Sequence, residues 1–329
     1  MRPFEYVRAT EVSDAVRLVS AHPGGAYLAG GTTQLDLMKD GVLGPGLLVD
    51  ITRLPLAGTE RRGGALHVGA LTTMEELAAD PVVAERLPLV REALLKGASA
   101  QLRNMATIGG NLLQRTRCRY FRDPDVPKCN KRLPGSGCAA VEGVPRMHAV
   151  LGAGERCIAL HASDLAVPLV ALDAVVHVQG PTGERRIPLT DFYLPASDSP
   201  DVENRLVHGE LITAVEIPLL PAEAVSGYLK VRDRMSYEFA LTSAAVALVI
   251  SGGIIREARI GLGGVGTTPW RAWDAERELV GSPADTPAFR RAARAAVQDA
   301  WTVPGTEFKV ELAQRCLVRE LRTVSGAAA

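Results

Sequence analysis

The chain has 329 residues, 47% of them hydrophobic, and its 37 basic and 37 acidic side chains give a formal net charge of zero. This length and composition predict a globular protein of two or three domains. The charge balance excludes a broad basic field, so neither nucleic acid nor an anionic membrane is predicted as the main partner.

The first fifteen residues carry neither a charged-then-apolar signal region nor a cleavage site. No apolar run in the sequence is long enough to cross a bilayer, so no membrane insertion is predicted. We therefore expect a cytoplasmic chain, or a periplasmic one if a signal-bearing partner subunit exports it.

The N-terminal residues predict a small unit of strand, loop and helix. Apolar residues at helical spacing from Val12 predict a first helix, which Pro23-Gly24-Gly25 ends. A short strand over 26–29 then runs into a diglycine, and a helical turn over 35–39 and a buried strand over 47–49 follow.

Regular elements continue and then stop in the middle of the chain. A strand over 66–69 precedes a helix in which Thr72 and Glu75 have capping-box spacing, and residues 87–95 predict another helix. From Gly97 the periodicity ends, and residues 115–157 contain four of the five cysteines. A loop of that length is unusual unless a functional group organises it.

The second half predicts an α+β fold class. A helix over 165–172 is followed by a hairpin of strands 174–178 and 185–189, and by a strand over 211–217. After a linker at 218–221, three strands predict an antiparallel meander and three helices follow it: strands 227–231, 243–250 and 258–262, and helices 271–279, 287–300 and 307–324.

A first glycine motif joins a predicted strand to a predicted helix at Gly30-Gly31-Thr32-Thr33-Gln34. Paired glycines allow the backbone to approach a diphosphate closely, and the free N–H groups at a helix start point at such an anion. A tight turn without a ligand is the alternative for this motif alone.

A second stretch, residues 98–111, is rich in small and amide side chains and ends in Gly109-Gly110-Asn111. Such a loop can lie flat against a planar ring and offer backbone donors and acceptors to its edge. A surface loop without a ligand would rarely need this composition.

The cysteines Cys118, Cys129, Cys138 and Cys157 form a possible metal-ligand set. Four thiolates are the ligands of a [4Fe–4S] cluster, although these gaps match neither ferredoxin spacing. Structural zinc also takes four cysteines, but no CxxC pair occurs, and disulfides are disfavoured in a cytosolic chain. Cysteine chemistry alone leaves a cluster, zinc and unliganded thiols open.

The charge around the first two cysteines favours the cluster over the other two alternatives. Seven basic residues outnumber Asp123 and Asp125 there: Arg115, Arg117, Arg119, Arg122, Lys128, Lys131 and Arg132. We expect them to offset the net negative charge of an iron–sulfur tetrathiolate. A solvated basic loop or a partner-binding face is the alternative.

Together these motifs resemble those of the FAD-binding medium subunits of the molybdenum hydroxylases. The resemblance rests on Gly30-Gly31-Thr32, on 103–111, and on the segments 162–165 and 171–174, and it covers essentially the whole chain. It implies that eight residues hold the FAD diphosphate: Tyr27, Leu28, Ala29, Gly30, Gly31, Thr32, Thr33 and Gln34. It further implies positions near the flavin ring, the ribityl chain or the sugar for Thr107, Gly109, Gly110, Asn111, Asp164, Ile212 and Lys230.

The cysteine segment is similar to an insertion in the flavoprotein subunits of periplasmic aldehyde oxidoreductases and, more loosely, of 4-hydroxybenzoyl-CoA reductases. The similar segments are 116–120, 128–131, 135–138 and 146–150. This resemblance implies a [4Fe–4S] cluster on the four cysteines. Asn111 and Cys118 are seven positions apart in the sequence, as are Cys157 and Asp164, so each pair lies within roughly 25 Å and the metal is expected to lie close to the FAD.

The resemblance implies an FAD-binding domain over 1–220, a cysteine-rich insertion at 115–160 and a C-terminal CO dehydrogenase flavoprotein-like domain over 221–329. The first domain divides into subdomains at about 1–55 and 56–220. The C-terminal domain consists of an antiparallel sheet plus helices.

The implied function is electron transfer in a heterotrimer with a small [2Fe–2S] subunit and a large molybdenum-cofactor subunit that oxidises an aldehyde. The chain would pass electrons through FAD to an external acceptor, and none of its side chains is predicted to be catalytic. One alternative is the flavin subunit of an enzyme that acts on xanthine, on another N-heterocycle or on 4-hydroxybenzoyl-CoA. The others are a zinc-stapled interaction subunit without flavin and a nicotinamide-dependent dehydrogenase that acts alone.

Three other features of the sequence do not indicate a functional site. Residues 261–266 match the GxGxxG pattern after a strand. The rest of the chain is predicted to be helical, so it lacks the further strands that a dinucleotide-binding unit requires. Six histidines include no metal-ligand pair at helical spacing. Cys316 lies among apolar neighbours in the last predicted helix and is predicted to be a buried free thiol.

Overall fold

A computed structural model describes residues 1–327. Its strands are β1 (Glu5–Arg8), β2 (Gly25–Leu28), β3 (Leu47–Asp50), β4 (Thr59–Arg62), β5 (Ala65–Gly69), β6 (Val175–Gly180), β7 (Gly183–Pro188), β8 (Leu211–Pro218), β9 (Val225–Val231), β10 (Thr242–Ser251), β11 (Ile254–Gly263) and β12 (Trp270–Arg271). They form three sheets, and with the helices they confirm the predicted α+β class.

The helices range from single turns to the long C-terminal helix. They are α1 (Val12–Ala21), α2 (Gln34–Lys39), α3 (Met74–Ala79), α4 (Pro81–Arg86), α5 (Pro88–Lys96), α6 (Ala100–Arg103), α7 (Ile108–Leu112), α8 (Arg119–Arg122), α9 (Ala139–Glu142), α10 (Ala166–Ala171), α11 (Leu189–Phe192), α12 (Trp273–Leu279), α13 (Thr286–Ala295) and α14 (Phe308–Ser325). Among these helices of residues 1–327, none combines the length and the apolar character that crossing a bilayer requires.

The N-terminal sheet is parallel, with strand order β1-β3-β2. Helix α1 buries Ala15, Val16 and Val19 against it, as the helical spacing predicts. Strand β1 was not predicted, because all four of its side chains are exposed and give no alternating pattern. The loop between β2 and α2 leaves this sheet at its carboxyl edge.

The second sheet is antiparallel and has the order β4-β5-β8-β6-β7. One face packs on α3, α5 and α10 in a large apolar core that also includes residues of β9 and β10. The predicted hairpin is confirmed as β6 and β7, joined at residues 180–183. Strand β4 was missed because its four side chains are exposed.

The capping box of α3 lies one residue later than predicted. Thr73 caps the helix, accepting from the Glu76 N–H, and the Glu76 carboxylate accepts from Thr73 in return. Thr72 is instead buried and exchanges hydrogen bonds with the backbone of Gly58, at 2.9 and 3.0 Å. The predicted pair was wrong because tertiary contacts hold Thr72 outside the helix.

The third sheet, of order β12-β11-β10-β9, includes the predicted meander and packs its apolar face on α12, α13 and α14. The GxGxxG segment leads from β11 into β12 and not into a helix. Its Gly261 packs against α10, where a Cβ would lie 2.3 Å from the carbonyl oxygen of Val167. The glycine therefore allows close packing between β11 and α10. Cys316 on α14 is buried and free, as predicted.

Candidate functional site

Two cavities meet between the N-terminal sheet, the second sheet and the third sheet. One, of about 180 Å³, lies beside the β2–α2 loop, and the other, of about 200 Å³, lies beside α7 and β9. Both are lined by Thr32, Thr33 and Gly110, so they form one groove that bends over the two diglycine motifs. Their combined size falls in the range of small-molecule and cofactor pockets, roughly 300–1,000 Å³.

The two diglycine loops are packed backbone to backbone. A Cβ on Gly30 would lie 1.8 Å from the carbonyl oxygen of Met105, which no side chain can tolerate. Gly31 has a φ of +72°, a left-handed conformation that glycine adopts without strain. The first glycine is thus required by the neighbouring loop, and the turn at the second directs the chain into α2.

The second motif forms the short helix α7. Thr107 caps it, since its hydroxyl oxygen accepts from the Gly110 N–H at 3.2 Å. Gly109 lies against the end of β5, where a Cβ would be 2.9 Å from the Cβ of Ala70. The stretch was expected to be an irregular loop; caps and close contacts make it helical despite its lack of periodicity.

The side chain of Asn111 is fixed on the groove wall. Its Oδ1 accepts from the Ser163 hydroxyl at 2.6 Å, and its amide nitrogen lies 3.2 Å from the sulfur of Met74. Ser163 is itself buried and also accepts from the N–H of Ala166 at 3.0 Å. The segment that precedes α10 is thereby joined to α7.

A buried ion pair forms the far wall of the groove. The ammonium of Lys230 on β9 lies 2.7 Å from Asp164 Oδ2, and the two side chains are 2% and 10% exposed. The fully buried Tyr228 donates its hydroxyl to Asp164 Oδ1 at 2.7 Å. Lys230 donates also to the carbonyl of Lys96 at 3.0 Å. A carboxylate has further lone-pair directions, so Asp164 can still accept from a ligand hydroxyl.

The other end of the groove is formed by Tyr27, Ile212 and neighbouring residues. Tyr27 donates its hydroxyl to the carbonyl of Gly209 at 2.6 Å. Burial, together with the Glu210 carboxylate, raises the pKa of Tyr27 well above its usual value, so the hydroxyl stays a donor. Every predicted flavin residue lines the groove except Leu28, which pairs with Asp50 in the sheet.

Sequence reasoning missed the loop between β9 and β10, which contributes Tyr237, Glu238 and Phe239 to the groove. Arg117 also lines it and stacks its guanidinium 5.1 Å from the centre of the Phe239 ring. Met235 in the same loop is 92% exposed, and Tyr237 has a φ of 52°. Exposed apolar side chains in a polar loop were the available signal.

The four predicted cysteines converge beside this groove. Cys118 packs against three small apolar clusters, which contain Cys129, Cys138 and Cys157 respectively. A backbone bridge joins Cys129 to Cys138, and all four thiols are free. The ring nitrogen Nε2 of His148 lies 3.2 Å from Cys118 Sγ.

Backbone N–H groups face the sulfurs. Cys118 immediately precedes α8, and Cys138 precedes α9, so each sulfur lies near backbone N–H groups of a helix start, among them those of Tyr120 and Ala140. The N–H of Ala159 lies 3.4 Å from Cys157 Sγ. Donors of this kind stabilise thiolates and the sulfurs of metal clusters.

The thiols titrate over a wide range. Burial raises the pKa of the Cys118 thiol to about 11. A hydrogen bond with Cys157 lowers the pKa of Cys138 to about 6, and the same hydrogen bond and burial raise the pKa of Cys157 far above its usual value. A bound metal centre would deprotonate all of these thiols.

The sulfur spacing bears on which metal the site fits. Around a tetrahedral zinc ion with Zn–S bonds of about 2.3 Å, the sulfurs lie roughly 3.8 Å apart. Within residues 1–327, no three of the cysteine sulfurs lie within 4.8 Å of one another. Cys138 and Cys157 are nevertheless close enough to share a hydrogen bond, so the four sulfurs are not spaced evenly as around one tetrahedral ion.

The basic side chains of the insertion are mostly paired inside the chain. Arg115 and Lys131 both contact Glu203, with N–O distances of 2.6 and 2.9 Å. Arg122 reaches Asp36 on α2 at 2.7 Å. These three residues also join the insertion to the rest of the chain, and the positive charge of Lys131 lowers the pKa of Cys157, against the opposing effects of burial and Cys138.

The cysteine site and the groove are direct neighbours. A cavity of about 310 Å³ is lined by Cys118 and His148, and it shares Arg117, Ala162 and Phe239 with the groove. The predicted metal ligand Cys118 therefore lies beside the groove that contains the predicted flavin residues. A wider groove, of about 690 Å³, lies between α13 and α14 and includes none of the predicted site residues.

Comparison with known proteins agrees with this geometry. Residues 2–220 match the FAD binding domain in molybdopterin dehydrogenase, and residues 227–324 match the CO dehydrogenase flavoprotein C-terminal domain. Over 281 residues the chain is 47% identical to the aldehyde oxidoreductase FAD-binding subunit PaoB of Escherichia coli. The matched region covers 85% of this chain and 86% of the E. coli subunit.

Two carbon monoxide dehydrogenases are also similar. The medium chain from Afipia carboxidovorans is 30% identical over 306 residues, which are 92% of this chain and 88% of that one. A solved carbon monoxide dehydrogenase from Hydrogenophaga pseudoflava superposes with a TM-score of 0.78 at 26% identity, covering 100% of this chain and 99% of that one. The chain therefore belongs to the family of FAD-binding subunits of the molybdenum hydroxylases.

Proposed function

We propose that this chain is the electron-transferring flavoprotein subunit of a heterotrimeric, molybdenum-dependent aldehyde oxidoreductase. The observation that carries the proposal is a groove built by two diglycine motifs directly beside four converging thiols. The 47% identity to an aldehyde oxidoreductase subunit supports an aldehyde, in preference to an N-heterocycle or an acyl-CoA, as the substrate of the complex.

FAD would lie along the bent groove. The residues 27–34 would hold the diphosphate, because Gly30 and Gly31 leave no side chain between the β2–α2 loop and this part of the groove, and Thr32 and Thr33 line it with hydroxyl groups. Thr107, the segment 109–111 and Ile212 would contact the ribityl chain and ring, and Asp164, oriented by Lys230, would accept from a sugar hydroxyl.

The chain's own residues bind and shield the cofactor and perform no bond chemistry. Bound FAD supplies the electron exchange between [2Fe–2S] centres of a partner subunit and an external acceptor. Phe239 and Tyr237 would cover the groove from the C-terminal side and limit the access of water.

Cys118, Cys129, Cys138 and Cys157 would hold a [4Fe–4S] cluster. The convergence of the four cysteines, the free state of their thiols and the N–H groups near the sulfurs support it. Such a cluster would supply one-electron chemistry close to the flavin.

The proposed partners are a small [2Fe–2S] subunit and a large subunit that carries the molybdenum cofactor. Within this chain we propose an FAD-binding domain at 1–220, with subdomains at about 1–55 and 56–220 and the insertion at 115–160, and a C-terminal domain at 221–329. The two matching family segments, 2–220 and 227–324, support this division.

The test is an absorption spectrum with iron, zinc and flavin analysis of the complex purified anaerobically. We expect one FAD and four iron atoms per chain in addition to the iron of the partner. Cys129→Ser should lose the four iron atoms and keep the flavin, and Cys316→Ser, which alters the buried thiol outside the site, should keep both. A complex that lacks both the flavin and the four additional iron atoms, and holds a zinc that Cys129→Ser loses, would support a zinc-stapled subunit and contradict the proposal.

A further inference from the structure

Three side chains that commonly bind metals meet on the second sheet, outside the groove and the cysteine site. They are His67 on β5, His177 on β6 and Glu216 on β8. The Nε2 atoms of His177 and His67 lie 3.0 and 3.7 Å from Glu216 Oε2. One ligand atom from each residue lies within 4.8 Å of the other two.

The strand register produces this convergence. His67 lies directly opposite Glu216 in the β5–β8 pair. In the β6–β8 pair Glu216 lies opposite Val175, which places His177 two residues farther along on the same face. The register shifts immediately after His177, and such a bulge reorients the side chains around it.

The three side chains lie on the face of the sheet opposite the apolar core, and each is 20–25% exposed. They are therefore held in place and still reachable by an ion. The two imidazole rings are 5.5 Å apart at an interplanar angle of 63°, so they do not stack. Both Nε2 atoms instead approach the same carboxylate.

These distances suit one small divalent ion. With Zn–N and Zn–O bonds of about 2.0–2.1 Å, neighbouring ligand atoms in a tetrahedral site lie roughly 3.3 Å apart. The measured distances of 3.0 and 3.7 Å bracket that value. Two histidines and one carboxylate form a common zinc set that leaves the fourth position to water.

We propose that His67, His177 and Glu216 form a binding site for a divalent transition metal such as Zn²⁺, separate from the redox cofactors of this subunit. The ion would join β5, β8 and β6 across the outer face of the sheet. It would therefore stabilise the fold of this domain, and the flavin and cysteine sites would not depend on it.

Arg186 on β7 competes with the metal for Glu216. Its guanidinium donates to Glu216 Oε2 at 2.6 Å and is 59% exposed, so it can swing into solvent when an ion binds. Removing Arg186 should thus tighten zinc binding several-fold. Arg185, which pairs instead with Glu210, offers a control of equal charge on the same strand.

The test is equilibrium dialysis of the purified complex against Zn²⁺ after treatment with a metal-chelating resin, followed by metal analysis. Wild type should retain one zinc per chain more than His177→Gln or Glu216→Gln, and zinc should raise the melting temperature of wild type only. An unchanged flavin spectrum in each variant would show that it folds.

Arg186→Gln should bind the additional zinc several-fold more tightly than wild type, and Arg185→Gln should bind it equally. Equal zinc retention by wild type and His177→Gln would overturn the site. Unchanged or weaker binding by Arg186→Gln would overturn the assignment of Glu216 as a ligand.

Discussion

The substitution Asp164→Asn tests two roles of Asp164: stabilising the fold through its buried ion pair with Lys230, and binding the flavin. Asp164 and Lys230 are 10% and 2% exposed and 2.7 Å apart, so the substitution leaves an ammonium buried without its counter-ion. Removing one partner of a buried pair costs about 3–5 kcal/mol. A loss of about 3 kcal/mol lowers the melting temperature of a domain of this size by roughly 6–12 °C.

The matched variants are Lys230→Gln and the double substitution. The double variant has two neutral amides where the ion pair was, so it should recover most of the melting temperature lost by either single variant. Glu60→Gln removes a pair whose side chains are both 61% exposed, and it should change the melting temperature little.

Flavin binding should follow a different pattern, measured by fluorescence titration of apo-protein with FAD. If the Asp164 carboxylate accepts from a ligand hydroxyl, its loss removes a charged hydrogen bond of about 1.5–3 kcal/mol, a roughly 10- to 150-fold weaker affinity. The double variant should regain most of the melting temperature, but its affinity for FAD should stay low. Recovery of both would refute the assignment of Asp164 to the flavin and leave it a purely structural residue.

Three further predictions concern other sites. Gly30→Ala should lower both the melting temperature and the FAD content, because its Cβ would meet the Met105 carbonyl, whereas Gly63→Ala, with open space around it, should not lower the FAD content. Burial and the neighbouring Glu92 raise the pKa of Glu320 to about 7, so folding takes up a proton between pH 4.5 and 7 and stability falls as pH rises through this window. Glu320→Gln should remove that fall and stabilise the protein at pH 8 by up to about 3 kcal/mol, as thermal denaturation against pH would show; an unchanged pH profile would contradict it. His148→Leu removes a ring nitrogen 3.2 Å from Cys118 Sγ and should lower the reduction potential of the proposed cluster in an EPR-monitored titration, with the iron content unchanged.

The sequence alone predicted the class of the fold and most of its elements. The meander β9–β11, the hairpin β6–β7 and helix α1 follow from local periodicity and turn residues, because burial repeats with a fixed period along each element. Strands β1 and β4 were missed since their exposed side chains leave no such period.

The sequence also predicted the candidate site wherever its chemistry is local. The two diglycine motifs and the four cysteines are recognisable because glycine and cysteine offer properties that no other residue supplies. Their proximity followed from the short chain segments that connect them. These positions needed no knowledge of the remaining chain.

Only the tertiary structure decided which distant residues complete the site. Phe239 reaches the groove from the C-terminal domain, the basic residue Lys131 pairs with Glu203, and Gly30 is required by a carbonyl of another loop. His67 and His177 converge on Glu216 through strand register. Such contacts join positions far apart in sequence, and their distances depend on how the sheets pack, which no local pattern of residues records.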